Sequence, residues 1–113
     1  MTVRSNGASL VRVAPLIALL LSLSAQAFAA KGAVTHKQGS CDYFVVETAG
    51  GYDLLEWYGG HDPDKGDVLV GDYESYGMRD IYDVTADDEL RVWVEDYGLS
   101  KEDALEKMIE QCE

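Results

Sequence analysis

From residue 41 onward the chain alternates between short runs rich in Val, Leu, Tyr and Trp and breaks made of Gly, Asp and Ser, the rhythm of strands and turns. Five runs qualify as strands: residues 43–48, 52–58, 67–73, 78–84 and 90–95. The last alternates most clearly, with Leu90, Val92 and Val94 on one side and Arg91, Trp93 and Glu95 on the other. The first two carry Tyr43-Phe44-Val45-Val46 and Leu54-Leu55 followed by Trp57, so both of their faces are apolar and both need cover. Ala49-Gly50-Gly51 reads as a hairpin turn and residues 59–66 as a longer polar loop. Strands joined this closely pair with their sequence neighbours, as an antiparallel meander.

The C-terminus supplies the missing cover. Leu105, Met108, Ile109 and Cys112 stand at i, i+3, i+4 and i+7, one apolar stripe of a helix. Ser100 lies three residues before Asp103, the spacing of a helix N-cap, and Asp103 with Lys107 forms a supporting i, i+4 pair. The pattern therefore predicts a mainly β domain, a small five-stranded antiparallel barrel of SH3-like type or a meander, with a C-terminal helix. An OB-type barrel is the alternative; it would place a helix between the third and fourth strands, where only a few residues are free. Residues 31–40 show no periodicity and read as a flexible tail ahead of a single domain over residues 41–113.

The first 30 residues follow a different pattern. Arg4 and Arg12 precede an apolar stretch from Val13 to Leu23, and Ala27-Phe28-Ala29 provides small residues at alternate positions, together a secretory signal peptide. The rival reading is an uncleaved membrane anchor, for which the serines, proline and glutamine of this segment make a poor span. Export to the periplasm or the medium explains the cysteines as well. Cys41 and Cys112 are the only two, and in an oxidising compartment they pair and tie the ends of the domain together. Closing a loop of that length contributes on the order of 4 kcal/mol by the chain-entropy model.

Charge narrows the partners. The full chain carries 9 basic and 21 acidic residues, a net charge of −12. Loss of Arg4 and Arg12 with the leader deepens the imbalance to −14 on about 84 residues. Nucleic acid and anionic membranes are excluded as targets, since both need clustered Lys and Arg. A basic protein or another cationic ligand fits the field. Tyr73, Glu74, Tyr76, Trp93 and Tyr97 are the candidate contact residues, aromatic anchors interleaved with carboxylates.

Chemistry-bearing motifs are few. Residues 59–67, Gly-Gly-His-Asp-Pro-Asp-Lys-Gly-Asp, gather His61, Asp62, Asp64 and Asp67 as candidate metal ligands, for Ca2+ ahead of Zn2+. Against an EF-hand loop, Gly66 and Asp67 stand where a ligand and a glycine belong, and Asp-Pro and Lys-Gly are ordinary turn pairs. The expectation is therefore a solvated loop and no cofactor. There is no Gly-x-Ser-x-Gly elbow and no nucleophile-histidine-acid order, and both cysteines are taken by the disulfide, so an enzyme is not expected. The sequence reads as an exported, monomeric, acidic binding or envelope-accessory protein that recognises a basic partner, with a cation-binding structural protein as the alternative.

Overall fold

The computed structural model describes residues 29–113, so the leader read over residues 1–30 lies outside them except for its last two positions. Six strands and one helix follow in order: β1 (Ala30–Lys37), β2 (Tyr43–Thr48), β3 (Gly51–Gly60), β4 (Val68–Gly71), β5 (Gly77–Asp83), β6 (Asp88–Leu99) and α1 (Lys101–Cys112). They form a closed antiparallel barrel in the order β1-β2-β3-β6-β5-β4, with β1 returning to pair with β4. Among the described residues no helix is long and apolar enough to cross a membrane.

The expected mainly β barrel with a C-terminal helix is present, with six strands in place of five. The extra strand is the segment read as a flexible tail. Ala30 pairs with Gly71 and Ala33 with Val68 on one side, while Gly32 pairs with Thr48 and Lys37 with Phe44 on the other. Its inward positions are Ala30, Gly32 and Val34, too small to register as an apolar alternation. They are small because space is short. A Cβ on Gly32 would overlap the carbonyl oxygen of Glu47 and approach Thr48 Cγ2 to 2.9 Å.

Two apolar clusters result. The barrel interior packs Val34, Phe44, Val46, Leu55, Leu69, Ile81, Leu90, Val92 and Val94, with the half-buried Trp57 and Tyr97 packed against them. Outside the barrel, Val45 and Leu54 face Ala104 and Met108 of α1, which is why β2 and β3 are apolar on both faces. The helix is rotated from the expected stripe. Ala104 and Met108 are its buried residues, Leu105 and Cys112 sit at the margin, and Ile109 is exposed. Ser100 caps α1 by accepting from the Asp103 amide at 3.1 Å, as expected, whereas Lys107 reaches Asp96 on β6 at 3.7 Å. Cys41 and Cys112 are joined in a disulfide that fastens the end of α1 to the chain entering β2.

If β1 is structural, Gly32→Ala destabilises the protein by about 1–3 kcal/mol, the usual cost of overpacking where backbone blocks relief. Thermal melts of the two proteins measure this. A variant as stable as the parent would show that β1 is not held against β2.

Candidate functional site

The two ends of the barrel each hold a buried carboxylate, and the outer sheet between them carries the aromatic surface. Along the β3–β6 pair, Tyr52 opposes Leu99 at one end and Gly60 opposes Leu90 at the other.

At the Gly60 end, the connection between β3 and β4 is tied down by backbone hydrogen bonds. The His61 amide donates to the Glu89 carbonyl at 2.9 Å, and Trp57 Nε1 donates to the His61 carbonyl at 3.0 Å. The Gly66 amide donates to Val34 and the Val34 amide to Asp67, at 2.8 and 2.9 Å. These contacts turn His61 and Asp67 toward Asp83, the last residue of β5. His61 Nε2 lies 3.3 Å from Asp83 Oδ2 and 3.6 Å from Asp67 Oδ2. Asp83 is fully buried, and its Oδ1 accepts from the Ala86 amide at 2.9 Å. Its Oδ2 and His61 Nε2 have no hydrogen-bond partner among the described residues.

Burial and the facing Asp67 carboxylate raise the pKa of Asp83 above the usual carboxylate range. Asp67 is held below that range, first by the facing Asp83 carboxyl and then by the Asp64 amide and His61. Of the four metal ligands expected from the sequence, the fold brings together His61 and Asp67. Asp62 pairs with Lys37 and Asp64 is exposed, so neither joins them. Asp83 was missed, yet a signal existed: on a strand that turns Ile81 inward, alternation turns Asp83 inward too.

At the opposite end, Asp53 is also fully buried. Its Oδ1 accepts from the Gly98 amide at 2.9 Å, while Oδ2 has no partner among the described residues. Burial, opposed by the Gly98 amide and reinforced by Glu74, pushes its pKa up to about 7. Around it stand three of the candidate contact residues. Glu74 accepts from Thr48 Oγ1 at 3.2 Å, and the Tyr76 and Tyr97 rings lie 4.8 Å apart, with the Tyr76 hydroxyl donating to Asp96. Tyr73 has to be withdrawn as a contact residue. It is fully buried in the barrel and donates its hydroxyl to the Leu69 carbonyl at 2.9 Å. Its apolar ring fills the core and its one polar atom is satisfied there.

The outer face of β3, β6 and β5 is different in kind. Met78, Trp93, Glu56 and Tyr43 form one row across neighbouring strands. The next row pairs Asp80 with Arg91, whose guanidinium donates to both carboxylate oxygens at 2.7 and 3.1 Å, and the row beyond pairs Tyr82 with Glu89. A shallow groove of about 310 Å³ runs beside these rows between Tyr58, Gly60, Asp80 and Arg91. Met78 and Tyr58 were not singled out in the sequence, although they occupy outward positions of the expected strands.

Comparison with protein-family models, with curated proteins and with solved structures gives no match, so function has to be read from these side chains.

The Asp53 carboxyl makes stability depend on pH with a defined sign. Folded, it keeps its proton up to about pH 7; unfolded, it releases it near ~3.9. The folded state thus binds the extra proton between those limits, and this group's contribution falls as pH rises through that window. Asp53→Asn keeps the acceptor for Gly98 and abolishes the titration. The melting temperature of the variant relative to the parent is expected to rise between about pH 5 and about pH 8. A difference that stays constant would mean Asp53 does not titrate in that range.

Proposed function

We propose that this is an exported binding protein whose acidic, aromatic outer sheet docks a basic protein partner. The observation that carries this reading is where the exposed apolar side chains lie. Seven large hydrophobic residues are exposed among the described residues, and six of them, Tyr58, Tyr76, Met78, Tyr82, Val84 and Trp93, belong to β3, β5, β6 or the turns flanking β5. Scattered exposed apolar residues need no explanation, but a gathered set with a polar rim is the usual form of an interface.

The rim is acidic. Glu56, Asp80, Glu89 and Glu95 separate the aromatic rings on this sheet, and the chain as a whole is strongly negative. Tyr and Trp supply large contact area at low conformational cost, and carboxylates between them select Lys and Arg on the partner. Of the residues first singled out, Tyr76 and Trp93 lie in this set, and Glu74 and Tyr97 border it. Export is supported by the disulfide and by the small-residue pattern at residues 27–29, which ends one position before β1 begins.

The test is an NMR titration of the oxidised protein with a folded Lys/Arg-rich protein and with an acidic one of equal size. Amide shifts concentrated at Tyr58, Met78, Tyr82 and Trp93, seen only with the basic probe and weakening steeply with salt, are the expected result. Trp93→Ala should weaken binding by about fivefold or more, the loss typical of a central anchor. Shifts spread evenly over every acidic surface, or binding indifferent to Trp93→Ala, would sink the proposal.

A further inference from the structure

The geometry points to His61, Asp67 and Asp83 as the protein ligands of a divalent transition-metal site of the zinc type, separate from the outer sheet. Three donor atoms, one from each residue, lie within 4.8 Å of one another. Two of the separations, 3.3 and 3.6 Å, are those between donors that share a tetrahedral ion, since bonds of about 2.0–2.1 Å place neighbouring ligands about 3.4 Å apart.

A hydrogen-bonded clamp without metal is the competing explanation, and it leaves two atoms unaccounted for. Asp83 Oδ2 and His61 Nε2 face each other in a buried position and neither makes a hydrogen bond. An unsatisfied buried polar atom forfeits its hydration without compensation, and two side by side are unusual in a small domain. A cation between them satisfies both, and Asp67 with them. In the tautomer protonated at Nδ1, Nε2 offers the lone pair such an ion needs.

The ligands are held ready for it. Asp83 is fixed by Ala86, Asp67 Oδ2 accepts from the Asp64 amide at 3.1 Å, and the His61 backbone is bonded at both its amide and its carbonyl. Such outer contacts orient metal ligands and lower the cost of binding. Exposure is graded. The side chains of Asp83, Asp67 and His61 are 0, 12 and 25% exposed, so the ion enters past the imidazole and keeps a fourth position toward solvent. The donor set also chooses the metal. Ca2+ takes six to eight oxygens at about 2.3–2.6 Å, which one imidazole and two carboxylates cannot supply. A nitrogen with two carboxylates suits Zn2+ or a neighbouring first-row ion.

The test titrates the oxidised, chelator-stripped protein with Zn2+, Mn2+ and Ca2+ by calorimetry, with thermal melts in parallel. The expected result is one equivalent of Zn2+ bound saturably with a rise in melting temperature, and little response to Ca2+. Asp83→Asn and His61→Gln should each weaken Zn2+ binding at least about tenfold, while Asp62→Asn and Asp64→Asn leave it unchanged. Should Asp83→Asn fail to fold, His61→Gln on the partly exposed loop carries the same comparison. No saturable Zn2+ uptake by the parent protein, or uptake unaltered by His61→Gln, overturns the assignment.

Discussion

Whether this sheet has edges is decided by the pairing of Ala30 with Gly71, Lys31 with Val70, Gly32 with Leu69 and Ala33 with Val68. Without these pairs, β1 and β4 would each present a row of unpaired amides and carbonyls. With them, the strands enclose an interior dry enough that Asp53 and Asp83 have no solvent exposure. The unusual electrostatics of both barrel ends therefore follow from closure. A carboxyl with a raised pKa exists here because a strand of small residues brings the last two edges together.

Closure also divides the outside. A barrel has one continuous outer surface, and α1 covers the part over β2 and β3 through Val45, Leu54, Ala104 and Met108. The remainder, over β5, β6 and the far end of β3, keeps its large side chains in water. Among the described residues one helix covers one of the two outer surfaces, and the disulfide fastens its end there. The uncovered half carries alternating rings and carboxylates, in contrast to the aliphatic half beneath the helix.

Those parts of the fold that rest on large residues were legible from the chain. The expected strand at residues 43–48 and the observed β2 coincide, and the helix, its Ser100 cap and the disulfide lie where periodicity and cysteine position put them. What escaped depended on small residues or on distance. β1 hides because Ala30 and Gly32 are chosen for lack of volume, and a hydrophobic pattern is blind to that. The run at 67–73 shortens to Val68–Gly71 because the chain bends inward beyond it, burying Tyr73. Asp53 gave no warning beside Leu54 and Leu55, and the His61, Asp67 and Asp83 group needs the end of β5 folded back against a loop many residues earlier. Local spacing favoured Asp62 and Asp64; tertiary structure favoured Asp83.

The position of the disulfide relative to β1 has a dynamic consequence. The covalent ring from Cys41 to Cys112 encloses β2 to β6 and α1, but β1 lies on its outer side, upstream of Cys41. The bond can therefore hold most of the domain together without restraining the strand that seals it. Separating β1 from its neighbours would break no covalent link and would uncover the Leu69 edge and one side of the core. The oxidised protein thus has a seam, and the strand on which the integrity of the barrel rests is held by pairing and packing alone.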